Sequence, residues 1–255
     1  GGQTLIDINR IYNTDCMGPD GMARIDNGAV DMILCDLPYG VTQNKWDSVI
    51  PIEPMWAEYK RIIKPHGVIA LTSMQPFTSQ LVMSNIKRFK YEIIWDKISP
   101  TGFLNAKKQV MRRHENILIF YQGQGTYNPQ KTAGEPYRRG KSGVSTNYGR
   151  IKPYTRCRKA DDRYPTTILK ISNASHKNQI HPNQKPVKLF EWLIKTYSNP
   201  GELVLDNCTG SGTTAIACTN TNRNFIGFET DKEYYEKSLE RIEDLKKAGR
   251  QVEIC

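Results

Sequence analysis

The sequence lacks several features that would indicate a membrane or metal-binding protein. Among its 255 residues no apolar run approaches the roughly 20 that a spanning helix needs. Its six cysteines form no C-x-x-C pair, and the four histidines do not cluster with them. We therefore predict no metal site, no disulfide framework, and a reducing, cytoplasmic setting. The first four residues, GGQT, resemble an expression remnant and are not expected to belong to the fold.

The chain carries a net charge of +10, and acidic residues are especially scarce in one segment. Between Tyr121 and Ile180 there are twelve lysines and arginines against three acids, which leaves nine of the ten excess positive charges there. Such asymmetry indicates that one region holds a polyanionic partner. The alternative is a solvated basic surface without a partner.

Short β-branched runs alternate with helical stretches, which is typical of an α/β fold with a doubly wound, mostly parallel sheet. The predicted strands cover residues 29–35, 68–72, 91–95, 116–121, 202–205 and 224–228. The predicted helices cover residues 54–63, 75–85, 187–197, 213–219 and 232–247, the last ending at Gly249. Apolar periodicity is weak from 122 to about 180. We expect one domain with halves 1–120 and 182–255, and a basic insertion at 121–181.

A glycine-rich turn follows one of the predicted strands. Residues 203–215 read LVLDNCTGSGTTA, which indicates a strand, a turn with Gly210 and Gly212, and a helix start. Such a turn lets a ligand approach the backbone and the helix N-terminus. Glu229 lies seventeen residues after Gly212, at the end of the next strand, where a carboxylate can accept ribose hydroxyls.

This pattern predicts a nucleoside cofactor, but it does not distinguish NAD from S-adenosylmethionine. A tight turn without any ligand is a further alternative. A Walker ATP loop is excluded, because no Gly-Lys-[Ser/Thr] follows the glycines.

A second motif follows the strand at 29–35. Asp36, Leu37, Pro38 and Tyr39 come where the carboxyl end of a strand opens into a loop, which is where open α/β sheets bind ligands. The Asp36 carboxylate and the Leu37 carbonyl can accept the two hydrogens of an exocyclic base amine and localise its lone pair. Tyr39 can stack on a base extruded from a duplex, and Pro38 stiffens the turn. Cys35 points to the opposite face of the strand and is predicted to be a core residue.

Four further segments share their order with a known family. Residues 113–118 (RHENIL), 181–186 (HPNQKP), 206–214 (DNCTGSGTT) and 225–229 (FIGFE) follow the D-L-P-Y motif. The chain resembles the β class of DNA amino-methyltransferases, which use S-adenosylmethionine to methylate adenine N6 or cytosine N4. The resemblance covers nearly the whole chain. Two departures are Leu37 in place of a proline, and Asn207-Cys208 in place of Pro-Phe.

The resemblance implies a set of cofactor contacts. Lys185, Ser211 and Thr213 would meet the methionine carboxylate, and Asp36 would also face the amino group. Asp15 would read the adenine, although a turn aspartate is an equal alternative. The full implied set is Asp15, Asp36, Lys185, Asp206, Asn207, Cys208, Gly210, Ser211, Gly212, Thr213 and Glu229.

The basic residues fall into two groups that we predict to contact DNA. They can neutralise phosphates, or read guanine edges in the major groove. In the insertion, where the β class keeps its target-recognition region, they are Arg138, Arg139, Lys141, Arg156, Arg158 and Lys159. A second cluster, expected beside the catalytic pocket, comprises Lys107, Lys108, Arg112 and Arg113.

The sequence thus predicts a DNA adenine-N6 methyltransferase, since cytosine-N4 enzymes more often begin the motif with Ser. Cytosine N4 is the alternative. Cytosine C5 chemistry is excluded, because the chain has no Pro-Cys dipeptide. An NAD-dependent oxidoreductase leaves the D-L-P-Y motif and the basic insertion unexplained, and a non-catalytic DNA-binding protein leaves Asp36 and Glu229 unexplained. The predicted partners are DNA and a cognate restriction endonuclease, with the chain a monomer or homodimer.

Overall fold

The computed structural model of the chain describes residues 6–38, 50–138, 159–173 and 184–252. Its helices are α1 (Ile52–Ile62), α2 (Phe77–Ser84), α3 (Val187–Tyr197), α4 (Thr213–Asn220) and α5 (Lys232–Val252). Its strands are β1 (Arg10–Tyr12), β2 (Val30–Asp36), β3 (Ile63–Ser73), β4 (Phe89–Thr101), β5 (Arg112–Tyr121), β6 (Thr132–Arg138), β7 (Lys159–Arg163), β8 (Ile168–Lys170), β9 (Leu203–Asp206) and β10 (Asn224–Phe228).

Eight of these strands form one sheet in the order β1-β10-β9-β2-β3-β5-β4-β8. The first five are mutually parallel, β5 runs antiparallel to β3 and β4, and β8 is parallel to β4. The central strand β2 reads VDMILCD and is buried along its length up to Asp36. Continuous burial of this kind is typical of a parallel strand that is covered on both faces.

Two apolar cores cover the two faces of the sheet. On one face, Leu34 and Ala70 belong to a cluster that includes residues of α3, α4 and α5, such as Leu193. On the other, Cys35 and Leu71 belong to a cluster with residues of α1 and α2. Alternate residues of each strand point to opposite faces, so neighbours such as Leu34 and Cys35 join different cores. The predicted doubly wound α/β fold is confirmed.

Residues Pro129–Thr166 form a separate compact unit. In it β6 and β7 pair as an antiparallel two-stranded sheet. Lys131 Nζ lies 2.7 Å from Asp162 Oδ2, and its ammonium also lies over the ring of Tyr164. This unit falls within the predicted insertion at 121–181, whose role stays a prediction.

Most predicted elements are present, but several boundaries differ. The prediction that the last helix ends at Gly249 is wrong, because α5 continues to Val252. A glycine in a helix costs only about 1 kcal/mol relative to alanine, which neighbouring helical residues can offset. The three-residue strands β1 and β8 were not predicted, since so short a run shows no alternation. Within the described ranges, no helix has the length and apolar character needed to cross a membrane.

Candidate active site

The carboxyl ends of β2, β9 and β10 lie side by side, because β9 pairs in parallel with both neighbours. Asp36 and Asp206 are the last residues of β2 and β9, and Glu229 directly follows β10. From β2 the chain continues to β3 on one side, whereas from β9 it continues to β10 on the other. Open α/β sheets bind ligands in the crevice at such a reversal point. We call the space beside the strand ends that carry Asp36, Asp206 and Glu229 the crevice.

The side chains of Thr72 and Lys185 help to orient the carboxylate of Asp36. Thr72, its partner in the β2–β3 pair, donates its hydroxyl to Oδ1. The ammonium of Lys185, two residues before α3, lies 3.0 Å from Oδ2. The Asp36 side chain keeps 24% of its surface exposed, so it stays accessible from the crevice.

Lys185 is shared between two carboxylates. Its Nζ also lies 3.0 Å from Oε2 of Glu115 on β5, and Glu115 Oε1 pairs with Lys97 on β4. The side chains of Lys97, Glu115 and Lys185 are all at least nine-tenths buried. Burial raises the pKa of Glu115, but the two ammonium groups outweigh burial and hold this pKa below its ordinary value. A row of alternating charges, which we call the charge row, therefore runs from Lys97 through Glu115 and Lys185 to Asp36.

Asp206 supports the glycine turn from within the protein. Thr214 donates its hydroxyl to Oδ2, and the backbone N–H of Cys208 donates to Oδ1 at 3.0 Å. The residue is 3% exposed, and burial raises its pKa to about 7 in spite of these two hydrogen bonds. Asp206 therefore changes its charge near neutral pH.

Glu229 ties the glycine turn to the end of β10. Its Oε2 accepts a hydrogen bond from the backbone N–H of Gly210 at 2.7 Å, and its Oε1 accepts one from Asp231 at 2.9 Å. Burial raises the pKa of Glu229, and these backbone hydrogen bonds oppose the rise. A carboxylate held at both oxygens has the fixed orientation that paired ribose hydroxyls would require.

The hydroxyls of Ser211 and Thr213 are held by an arginine that sequence reasoning missed. Arg241 Nη1 donates to the Ser211 carbonyl at 3.0 Å and to Thr213 Oγ1 at 3.2 Å. Thr213 in turn donates to the backbone oxygen of Lys185 at 3.4 Å, so the structure brings these predicted residues together. No sequence signal indicated Arg241, because α5 has the composition of a solvated helix. The Lys185 ammonium faces Asp36 and Glu115, and its contact with a methionine carboxylate stays a prediction.

Asn207, one of the departures from the family pattern, is buried beneath the turn. Tyr59 of α1 donates its hydroxyl to Asn207 Oδ1. The amide of Asn207 donates to the sulfurs of Cys16 and Cys208 at 3.7 and 3.6 Å. These hydrogen bonds join Asn207 and Cys208 to other residues of the protein. Their contacts with a cofactor stay a prediction.

The residues of the D-L-P-Y motif are described up to Pro38. The Leu37 side chain is 3% exposed and packs in the core, whereas Pro38 is partly exposed. Tyr39 lies outside the described residues. Cys35 is completely buried, and burial raises its pKa to about 12, which confirms its interpretation as a core residue.

Asp15 lies in an exposed turn after β1. Its Oδ1 accepts a hydrogen bond from the backbone N–H of Met17 at 2.9 Å, as a turn aspartate does. Its contact with a cofactor adenine stays a prediction.

The second basic cluster lies on the hairpin between β4 and β5, where its four members are exposed. Arg113 makes a bidentate contact with Asp96, at 2.8 and 3.1 Å. Of the insertion, the side chains of Arg138 and Lys159 and all of Arg139, Lys141, Arg156 and Arg158 lie outside the described residues.

The crevice fits an adenosine-containing zwitterion such as S-adenosylmethionine. Gly210 has a φ of +53°, and a Cβ there would meet no other atom within 4 Å, so the turn borders open space. Glu229 offers an oriented carboxylate to ribose hydroxyls. Arg241 offers positive charge beside the Ser211 hydroxyl, which suits a carboxylate. Asp36 offers the opposite charge to an amino group.

Comparison with known proteins agrees with this geometry. The N6/N4 methyltransferase family, described as DNA methylase, matches residues 30–240. The type II methyltransferase M1.MboII of Moraxella bovis is 27% identical over 255 aligned positions, spanning 90% of this chain and 95% of that protein. The DNA adenine methyltransferase YhdJ of Escherichia coli (strain K12) is 27% identical, spanning 87% of this chain and 79% of that protein.

Solved structures share the fold. The crystal structure of the M1.HpyAVI–SAM complex superposes with a TM-score of 0.63 at 24% identity, over 91% of this chain and 98% of that one. The cytosine-N4-specific PvuII DNA methyltransferase gives a TM-score of 0.63 at 16% identity, over 92% of this chain and 86% of that one. The family match, the fold and the crevice agree, and the chain belongs to the N6/N4 DNA methylase family of S-adenosylmethionine-dependent amino-methyltransferases.

Proposed function

We propose that this protein is a site-specific DNA methyltransferase that methylates the exocyclic N6 of an adenine extruded from the duplex. The observation that carries the proposal is the position of Asp36. Its carboxylate lies at the end of β2, next to the strand that leads into the glycine turn, and its orientation is fixed by Thr72 and Lys185. An acceptor for a base amine thereby adjoins a crevice that fits the methyl donor.

In this proposal the chain's own residues prepare the amine for attack. The amine is a poor nucleophile, because its lone pair is delocalised into the ring. Asp36 and the backbone oxygen of Leu37 accept its two hydrogens and favour tetrahedral geometry at nitrogen. The buried Leu37 side chain anchors that backbone. Bound S-adenosylmethionine supplies an electrophilic methyl group, and Tyr39 supplies a stacking face for the base.

Lys185 has a positioning role in the same step. Its ammonium holds Asp36 in place, while Glu115 balances its positive charge from the other side. Without that balance, the lysine would draw more of the carboxylate's electron density away from the amine. The charge row thus keeps the Asp36 carboxylate fixed in position, where it can accept a hydrogen bond. After methyl transfer the amine loses a proton readily, so a dedicated side-chain base is unnecessary.

Adenine is the proposed target, with cytosine N4 as the second candidate. The aspartate at the head of the motif favours adenine, and the related protein YhdJ is named an adenine methyltransferase. The fold does not distinguish the two bases, because the cytosine-N4-specific PvuII enzyme shares it equally well.

We also propose that the basic insertion at 121–181 recognises the DNA target. Its nine excess positive charges can neutralise phosphates of the duplex. Several related proteins are named type II methyltransferases. We therefore propose that a cognate restriction endonuclease acts alongside this protein. The substrate places the reaction where bacterial, archaeal or phage DNA is found, in the cytoplasm.

Mass spectrometry of methylated DNA tests this function directly. The purified protein is incubated with unmethylated genomic DNA and S-adenosylmethionine that carries a deuterated methyl group. The DNA is then hydrolysed to free bases. We expect deuterated N6-methyladenine, which a reaction without protein should lack. Deuterated N4-methylcytosine would establish the second candidate instead, and the absence of both would contradict the proposal.

A further inference from the structure

The hairpin between β4 and β5 carries apolar side chains that nothing in the protein covers among the described residues. Phe103 is 81% exposed, Leu104 is 97% exposed and Val110 is 91% exposed. A single exposed apolar residue is ordinary, but a cluster of large ones on one projecting turn marks a surface that a partner covers. We call residues 102–111 the hairpin tip.

The hairpin tip projects from the edge of the sheet that holds the crevice. Thr72 pairs with Asp36 on one side and with Ile117 of β5 on the other. Arg112, where β5 begins, precedes Ile117 by five residues. At about 3.4 Å per residue it therefore stands roughly 17 Å beyond the level of Asp36 along the strand direction. This reach is comparable to the width of a DNA groove, so the tip can touch a duplex whose base enters the crevice.

Backbone hydrogen bonds give the hairpin tip a defined shape. The carbonyl of Gly102 accepts the N–H of Asn105 at 3.0 Å, and the carbonyl of Phe103 accepts that of Ala106 at 3.0 Å. The carbonyl of Asn105 accepts the N–H of Lys108 at 2.9 Å. The apolar side chains are therefore presented on an ordered turn, which lowers the entropy lost when they insert into a partner.

The charges around the tip favour a nucleic acid as that partner. Lys107 and Lys108 follow the apolar pair, and Arg112 begins β5, all three exposed. Cations contact phosphates, and apolar side chains of proteins that deform DNA wedge between base steps. An anionic lipid surface would attract the same composition. The position beside the crevice favours DNA, because the substrate of the proposed reaction must come to this edge.

We propose that Phe103 and Leu104 insert into the base stack at the target pair and occupy the space that the extruded base leaves. Lys107 and Lys108 hold the adjoining phosphates. Filling that space replaces part of the lost stacking and so favours the extruded state. This inference rests on the proposed function, because it presupposes a base that leaves the duplex for Asp36.

The test compares two substrates and two pairs of substitutions. The target site is first identified with the wild-type protein on genomic DNA. Duplexes are then made with the target base either paired or facing an abasic site, which removes most of the pairing energy. The test variant is Phe103→Ala with Leu104→Ala. The control variant is Met83→Ala with Ile86→Ala, which truncates two exposed apolar residues, one in the last turn of α2 and one just after it, at the opposite edge of the sheet.

We expect the test variant to lose about ten- to a hundredfold in kcat/KM on the paired duplex, the range that corresponds to loss of base stacking. On the abasic duplex it should come within roughly twofold of the wild type, because extrusion no longer requires assistance. The control variant should match the wild type on both duplexes. Thermal unfolding of the test variant should be unchanged, since both side chains are exposed.

Two results would overturn the inference while leaving the proposed function intact. One is unchanged activity of the test variant on the paired duplex. The other is an equal loss on both duplexes, which would indicate a role unrelated to extrusion. The wild type and the test variant are also compared for binding to anionic phosphatidylserine vesicles. If the wild type binds, and the test variant does not bind but methylates normally, the tip contacts lipid instead. A wild-type protein that methylates neither duplex nor genomic DNA would contradict the proposed function itself.

Discussion

Glu115 lies between two lysines at the centre of the charge row that ends at Asp36. Its carboxylate neutralises Lys97 on one side and Lys185 on the other, inside the protein. Removal of one partner from a buried ion pair leaves an uncompensated charge, which is more damaging than removal of both partners. Glu115 is therefore a positioning residue whose effect should reach both stability and catalysis.

Glu115→Gln keeps the shape of the side chain and removes its charge. We expect the free energy of unfolding to fall by about 3 kcal/mol, because two ammonium groups stay buried near a neutral amide. We also expect kcat to fall with little change in KM for DNA, since Lys185 then draws more strongly on Asp36. Urea denaturation and steady-state methylation measure the two effects.

The matched control adds Lys97→Met to Glu115→Gln. This double variant removes one positive and one negative charge and leaves the Asp36–Lys185 pair. We expect it to recover more than half of the lost stability, so the two substitutions are strongly non-additive. Additive destabilisation would show that Lys97 and Glu115 do not act as one unit.

The raised pKa of Asp206 predicts that the free energy of unfolding depends on pH, and it fixes the sign of that dependence. The unfolded chain releases this proton near its ordinary value of 3.8, and the folded chain near 7. Between these values the unfolded state binds fewer protons, so stability falls as pH rises through this window and levels off above about 7. A shift of three units corresponds to about 4 kcal/mol.

Asp206→Asn removes this titration. The stability of this variant relative to wild type should therefore rise between pH 4.5 and about 7 and then level off, whatever constant difference the amide introduces at Thr214 and Cys208. Urea denaturation at several pH values measures the difference, in which contributions of other carboxylates cancel. A difference that stays constant over this range would mean that Asp206 is ionised throughout.

Sequence reasoning found the carboxylates of the site but not their partners. Asp36, Asp206 and Glu229 each stand at the end of a predicted strand, and parallel strand ends meet at one edge of a sheet. Tyr59 contacts Asn207 across 148 positions of sequence, and Lys97 reaches Glu115 only through strand pairing. No local pattern marks such residues, because tertiary packing alone brings them together.

In the glycine turn between β9 and α4, the effect of backbone strain can be separated from the effect on cofactor binding. Gly210 and Gly28 both have positive φ, +53° and +62°, and a Cβ at either would meet no atom within 4 Å. Alanine at either position should cost about 1 kcal/mol of stability through backbone strain. Gly28 lies before β2, at the opposite edge of the sheet, and so provides the matched control.

We predict that Gly210→Ala weakens S-adenosylmethionine binding about tenfold or more, because its methyl group enters the crevice where the cofactor approaches the turn. Gly28→Ala should leave binding unchanged. Isothermal titration calorimetry measures both affinities, and urea denaturation checks that the strain is equal. Equal cofactor affinities for the two variants would place the cofactor elsewhere.

Long, strongly patterned elements were predictable, and irregular ones were not. Helix α3 and strand β10 have the predicted bounds, since α3 has a clear apolar periodicity and β10 is a continuous apolar run between polar flanks. The outer parts of β4 and β5 were missed, because residues from Ile98 to His114 are exposed and carry no alternation of burial. The same lack of pattern hid the β6–β7 pair.

At the scale of the whole molecule, two halves distant in sequence build one crevice. Asp36 comes from the first half, whereas Lys185, Asp206 and Glu229 come from the second, and the reversal of strand order brings them together. The order of motifs along the chain allowed this arrangement to be predicted. The net charge of +10 complements it, because a polyanionic substrate is attracted before any specific contact forms.

The most direct test of the central claim is to sequence genomic DNA, with single-molecule detection of modified bases, from a methylation-free host that expresses the protein. The wild type should methylate adenine N6 at one short recurrent sequence. Asp36→Asn should leave that sequence unmodified, while Asp26→Asn, at an exposed position, should match the wild type. Full modification by the Asp36 variant, or no modified base with the wild type, would contradict the account.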